Sequence, residues 1–266
     1  MPGAREGDYV CRRFNRTPSM NILALSSIAI ALGLLTASTQ ASFHFMQIEQ
    51  VIGGVNGDTA AQAIQLRQRF GGQNVVNQAS IWAADAAGGN RVLLLNIAGN
   101  VGNGAAGARI LLTTAAFENA MDLGGPAFAP DFILTNAIPS SYLTAGRLTF
   151  EGDGGTVATP GTIYWSLAWG GAGYTGSNSG TTNDDNGNYG PAFGSSLPTS
   201  SRQGVIFDGV AGDLSTTNAA DYILSANPGT VTRNNGGSFT VVPEPGSAAL
   251  LGAFALGAFA FFRRRS

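Results

Sequence analysis

Among the side chains that perform covalent or acid–base chemistry, this sequence keeps only carboxylates in number. It has one histidine, His44, one cysteine, Cys11, and no lysine. A Ser-His-Asp arrangement needs a histidine held by its scaffold. A Schiff base needs a lysine, a thioester intermediate needs a cysteine, and a histidine-based zinc site needs several imidazoles. What is left is carboxylate chemistry. Glu49, Glu118 and Glu151, with neighbouring aspartates, are the candidates for a glycosidase pair, which requires two carboxyl groups within about 10 Å across one cleft. Their spacing does not set them apart from surface charges. The chain is therefore expected not to be an enzyme, with a carboxylate glycosidase as the remaining catalytic alternative.

Two further groups suit binding rather than reaction. Asp184, Asn186 and Asn188 alternate within the run from Asn183 to Gly190, as oxygen ligands alternate in a calcium loop. Tyr189 stands where an EF-hand needs glycine, and no glutamate arrives at the twelfth position. A plain Asn-Gly turn accounts for the same residues, so these are weak calcium ligands and no cofactor is expected. The second group is aromatic. In the run 162–169, Ile163, Trp165, Leu167 and Trp169 share one face of an extended chain and Tyr164, Ser166 and Ala168 the other. Aligned tryptophans fill the space between sheets when buried, and stack on sugar rings when exposed. Ile163 and Leu167 on the same face favour the core; Trp165, Trp169, Tyr174 and Tyr189 are the glycan-stacking candidates of the second reading.

The elements that must position these residues read as strands. Short apolar runs occur at 43–52, 63–70, 75–83, 91–97, 109–114, 131–135, 147–151, 162–169, 204–207, 221–226 and 238–242, most of them separated by Asn or Gly clusters. Asn56-Gly57-Asp58 is a strong turn signal. The run 63–70 sets Ile64 and Leu66 against Gln65 and Arg67, the alternation of a half-buried strand, and with 43–52 it is expected to form a hairpin or a sheet edge. Only Thr114 to Met121 carries a helical period. The expected fold is all-β, an antiparallel two-sheet sandwich, with a jelly roll or barrel as the alternative because spacing alone does not report closure. The polar stretch 170–202 interrupts the regular spacing. Ile48-Glu-Gln-Val-Ile52 followed by Ala63-Ile-Gln-Leu66 is similar to the opening strands of lamin-tail-like sandwich domains, with Gln65 where that pattern favours an acid.

Both ends of the chain read as processing segments. Arg12, Arg13 and Arg16 precede an apolar run from Ile22 to Leu35, and Thr39-Gln40-Ala41 offers a small-residue cleavage site before Ser42; residues 1–41 are expected to be a secretory signal peptide, whether translation starts at Met1 or Met20. Cys11 would leave with it, so the exported body has no disulfide. That body, about 42–242, contains seven arginines against thirteen acids. Its mildly acidic balance argues against nucleic acid as a partner.

At the other end, Val242-Pro243-Glu244-Pro245-Gly246 leads into an uncharged stretch, Ser247 to Phe262, followed at once by Arg263, Arg264 and Arg265. As a helix the stretch would rise about 24 Å, a short membrane span, and the arginine cluster would lie on the cytoplasmic side with the body outside. The two prolines keep the approach to it extended. Residues 242–266 closely resemble the PEP-CTERM sorting signal of bacterial exported proteins. The resemblance implies a substrate of the membrane transpeptidase exosortase, held transiently in the inner membrane and then delivered to the cell surface or beyond. It also implies a structural or interaction role in exopolysaccharide or biofilm matrix, with a secreted carbohydrate-binding module as the alternative.

Overall fold

The computed structural model describes residues 43–121, 129–152, 154–180 and 187–241. Their β-branched and aromatic runs form twelve strands, β1 Met46–Ile52, β2 Ala63–Gln68, β3 Ser80–Ala84, β4 Val92–Asn96, β5 Arg109–Thr113, β6 Phe132–Ile133, β7 Gly146–Glu151, β8 Ile163–Trp169, β9 Val205–Phe207, β10 Tyr222–Leu224, β11 Thr230–Thr232 and β12 Ser238–Thr240. Two short helices, α1 Ala115–Met121 and α2 Asn218–Asp221, complete the regular structure apart from three 3-10 turns. The strands assemble into a sheet of order β10-β9-β1-β2-β5-β6, a second of order β4-β3-β7-β8, and the isolated hairpin β11-β12. All pairings are antiparallel except β5 with β6, so the larger sheet is mixed. The expectation of a mostly β body with two main sheets is met. Neither sheet closes on itself among the described residues, which sets the barrel alternative aside. The expected signal peptide and membrane span lie outside the described residues.

The two sheets share one apolar core. Ile48, Leu66, Ile110 and Phe207 enter it from the larger sheet and Ile81, Leu148, Phe150 and Trp165 from the smaller, with β1 lying against β7 and β8. The imperfect alternation of the first strand has a structural cause. Ile48 pairs with Leu66 and Gln50 with Gln65, leaving Glu49 as the extra residue of a β-bulge. That single insertion lets Ile48 and Val51, three residues apart, both face the shared core.

The β1–β2 pair departs from the half-buried edge hairpin expected of it. It lies in the middle of the larger sheet, between β9 and β5, and every residue of both strands is buried. Chain that arrives later covers its outer face. A satellite cluster of Ile52, Ala63, Leu111, Phe117, Met121, Val231 and Val241 packs α1 and the β11–β12 hairpin onto it. The helix is fixed at its start by Thr114, whose hydroxyl accepts from the Phe117 N–H at 3.2 Å. It buries Phe117 and Met121, one turn apart, against that face.

Exposed sheet edges are blunted by irregular chain. Leu94 O accepts the N–H groups of Thr135 (2.8 Å) and Asn136 (3.2 Å) beside β4. On β8, Ala168 O accepts from Phe193 N, while the Asn218 side chain takes the Ala168 N–H and donates to Ser166 O. These contacts satisfy ladder groups that would otherwise invite another chain.

Candidate functional site

Strand β8 is the pivot of the candidate residues. Trp165 and Trp169 are both 0% exposed, and each indole N–H is satisfied internally: Trp165 donates to Tyr222 Oη at 2.7 Å, and Trp169 to Tyr142 O at 2.9 Å. Tyr222 passes the bond on to Ile48 O at 2.6 Å, so one relay runs from the smaller sheet to two strands of the larger. Tyr189 and Phe207 close on the Trp165 ring edge-to-face at 5.6 and 5.7 Å. Burial pushes the Tyr222 hydroxyl well above the ordinary tyrosine pKa, with the Trp165 hydrogen bond pulling the other way. The core reading of these tryptophans therefore holds, and their assignment as glycan-stacking residues is corrected: rings with no exposed surface cannot meet a sugar. Tyr189 is equally buried.

The carboxylates proposed for a glycosidase pair are separated and engaged. Glu49, on β1, accepts Arg109 Nε at 2.7 Å, Arg109 Nη2 at 2.9 Å and Gln65 Nε2 at 2.7 Å, with Arg67 Nη1 at 3.3 Å. Glu151, on β7 of the other sheet, accepts from Arg91, Thr149 Oγ1 and Gly161 N, and Arg91 lies 4.4 Å over the Trp82 ring. Each buried acid is thus paired and hydrogen-bonded, as burial demands. Glu118 sits half-buried on α1. Glu49 and Glu151 thus lie on different sheets, each engaged by its own arginine partners.

The polar stretch after β8 is an ordered cover rather than a spacer. It begins at Gly170, whose φ of +98° turns the chain back over the sheet. Tyr174 and Ala192 pack on Ala168, the face of β8 that simple alternation would leave to solvent. Beneath them runs a polar network. Arg147, on β7, donates from Nε to Ser166 Oγ at 2.7 Å and from Nη2 to Ser179 O at 2.6 Å. Ser166 Oγ donates to Asn178 Oδ1 and Asn178 Nδ2 to Asn218 Oδ1, each at 2.6 Å. Burial lowers the Arg147 pKa, partly offset by Tyr174 and Glu151.

Above this network opens a cleft of about 730 Å³ lined by Tyr174, Ser177, Asn178, Ser179, Asn188 and Pro191, with glycine and alanine between them. It brings together two residues that the sequence singled out for different reasons. Tyr174 is 9% exposed and its hydroxyl donates to Ser177 O at 2.8 Å, so it contributes a wall, not a free-standing stacking platform. Asn188 Oδ1 accepts from Gly190 N at 3.0 Å, so its side chain is engaged in a local turn. Asp184 and Asn186, the other calcium candidates, lie outside the described residues, and no cluster of three metal-binding side chains occurs among the described ones. Arg147 and Asn218 were not singled out by sequence reasoning; an isolated Arg in a strand and an Asn after a loop carry no spacing signal.

The last described segment is the β11–β12 hairpin, stapled to the body by polar contacts. Gln65 Oε1 accepts the Thr232 N–H, Asp131 Oδ2 accepts Asn234 N at 2.8 Å, and Asn234 Nδ2 donates to Asn103 O and Arg109 O at 3.0 Å each. Burial raises the Asp131 pKa despite those backbone donors. Val241, wholly buried, closes the segment by donating to Gly229 O at 2.9 Å. Pro243, Glu244, Pro245 and the arginines 263–265 lie outside the described residues, among which no helix is long and apolar enough to cross a membrane.

Comparison with known proteins places one feature. Residues 241–266 match the PEP-CTERM protein-sorting motif, which implies an exported protein processed by an exosortase and sorted to the cell surface. No curated protein and no solved structure matches the chain; the likeness of β1 and β2 to lamin-tail-like strands rests on those residues alone.

Proposed function

We propose that this chain is a structural or interaction component of the cell envelope or extracellular matrix. It is exported by its N-terminal signal, spans the inner membrane once through Ser247–Phe262 with Arg263 to Arg265 inside, and is severed near Pro243-Glu244-Pro245 by an exosortase. The carrying observation is the join between body and tail. The sorting motif begins at residue 241, the buried valine on which the described residues end, so the motif follows directly on the β-rich body, read as a sandwich. A body held only by that helix stays at the membrane, and cutting the helix frees it for transfer. A non-catalytic role is supported by Glu49 and Glu151 each being enclosed in its own ion pair.

Intact mass measurement on protein recovered from the host's envelope and medium tests this reading. The expected chain begins near Ser42 and ends before Ser247, with any attached moiety showing as added mass. Recovery of a chain still ending at Ser266 in the inner membrane would make the tail a simple anchor. A carbohydrate-binding module is the second reading; the cleft lined by Tyr174, Asn178 and Asn188 favours it, and the buried tryptophans do not.

A further inference from the structure

The turn of the β11–β12 hairpin, the loop between β4 and β5 and the start of β6 enclose a second cleft, of about 610 Å³, whose wall includes Asn100, Asn103, Asp131, Phe132, Arg233 and Asn235. Its frame is locked from behind. The buried Asn234 side chain accepts Asn103 N at 2.7 Å and donates to Asn103 O and Arg109 O, while Asn103 Nδ2 donates to Asn234 O at 3.2 Å. Asp131 Oδ2 accepts both Leu111 N and Asn234 N at 2.8 Å. The groups that fasten the three segments together thus belong to Asn103, Asn234 and one oxygen of Asp131, and the wall is set before a ligand arrives.

The groups that the frame does not use define the ligand. Among the described residues no hydrogen bond of the chain engages Asp131 Oδ1, Arg233 Nη2, or the Nδ2 groups of Asn100 and Asn235. Asp131 is half-buried; burial opposes its charge, while the two backbone donors and Arg233 favour it. The two side chains form no ion pair among the described residues, so both remain open to a third party. With one acid and one base the cleft has no net charge: Arg233 disfavours a cation beside Asp131, and Asp131 an anion beside Arg233. A neutral molecule rich in hydroxyls answers all of these groups, because each O–H donates to a carboxylate and accepts from an amide or guanidinium. Phe132, half-buried in the wall, offers its ring to a C–H face. The cleft beside β8 has no acidic or basic side chain in its lining.

We propose that this cleft binds a neutral saccharide unit, with Asp131 Oδ1 accepting from a ring hydroxyl, Arg233 and the asparagine amides donating to neighbouring oxygens, and Phe132 meeting the C–H face. Its volume is within the range of small-molecule sites. Arg233 and Asn235 belong to the hairpin, and Asn100 and Asp131 to the rest of the body, so a bound ring bridges the two. The site gives the interaction role proposed above a ligand and rests on that reading for where the protein meets polysaccharide, but its test does not involve the tail.

The full chain, in a detergent without a sugar headgroup, is applied to an array of neutral gluco-, manno- and galacto-oligosaccharides, and a retained ligand is then titrated by calorimetry. At least one neutral oligosaccharide binds, and its affinity changes less than about twofold between about 0.05 and 0.5 M salt, since no net charge is there to be screened. Gly102 lines the cleft, and a Cβ built on it meets nothing within 4 Å, so Gly102→Trp fills the cleft and abolishes binding with no change in unfolding midpoint. Asp131→Asn weakens binding at least about tenfold, the share of a hydrogen bond to a charged group; should it fail to fold, Gly102→Trp still decides the matter. Retention of no neutral oligosaccharide, binding that survives Gly102→Trp, or an affinity that falls steeply with salt overturns the site. None of these bears on tail processing, which the intact mass reports separately.

Discussion

The relay Trp165–Tyr222–Ile48 can be measured as a coupling between sheets. Tyr222→Phe removes one hydroxyl with little change of shape, and leaves the Trp165 indole N–H buried without an acceptor. An orphaned buried donor costs about 1–3 kcal/mol, and the bond to Ile48 O adds about 1 kcal/mol. The single variant should therefore lose roughly 2–4 kcal/mol, or about 5–15 °C of midpoint for a body of this size. Trp165→Phe removes the donor itself and leaves a partial void costing about 1–2 kcal/mol. In the double variant no donor remains to be orphaned. The two losses should then sum to more than the double variant shows, by about 1–3 kcal/mol. Urea unfolding followed by fluorescence gives all four corners of the cycle, because Trp82 and Trp169 remain as reporters. A coupling below about 0.5 kcal/mol would mean that the sheets are held by apolar contact alone and that the relay is incidental.

Two other outcomes follow from single residues. Because burial holds the Tyr222 pKa above its unfolded value, its stabilising contribution is complete below about pH 10 and is lost as pH rises beyond it, when the unfolded chain ionises first; the stability gap between wild type and Tyr222→Phe should narrow by about 1 kcal/mol between pH 9 and 11, and a gap that stays constant in urea melts would contradict this. Gly170→Ala places a Cβ 2.4 Å from Ala145 Cβ at a φ of +98°, so the substitution should cost about 2–5 kcal/mol and loosen the cover over Arg147; a midpoint within 1 °C of wild type would show that the turn relaxes freely.

Strands with several β-branched or aromatic residues were legible in the sequence: β1, β5, β7 and β8 fall where alternation put them. Burial of their second faces was not. Gln65 and Arg67 read as solvent-facing because local alternation reports only which residues share a side, while their cover comes from chain more than 130 residues away in sequence, where Thr232 meets Gln65 and Phe207 and Gly209 meet Arg67. The same distance hid the fate of Ser166 and Ala168, roofed by the stretch that composition marked as a polar spacer. Tyr174, Tyr189, Phe193 and Leu197 were the available signal, four large apolar anchors in that stretch, all of them buried. Strand β11 carries one apolar residue, Val231, and gave no periodic pattern to find. Of the candidate sites, the sorting signal was readable because motif, span and charge are contiguous in sequence, whereas the cleft beside β8 is assembled from two segments, 171–179 and 188–192, that carry no motif.

The hairpin at the end of the fold also determines how the body answers a pull. In the membrane-held precursor proposed above, force between membrane and surroundings would enter the described residues at Val241, which is hydrogen-bonded to Gly229 just before β11. Load applied across the open end of an antiparallel pair breaks its rungs one at a time: first Val241 to Gly229, then Thr240 with Thr230 and Phe239 with Val231. The side chain and backbone of Asn234 keep the far end fastened to Asn103, Arg109 and Asp131. Strand β12 therefore strips away while β11 stays in place, paying out about seven residues, or roughly 24 Å of chain, before tension reaches either sheet. The hairpin would act as a short extensible leash whose yield withdraws Val241 and Phe239 from their apolar cluster but leaves the core shared by the two sheets in place.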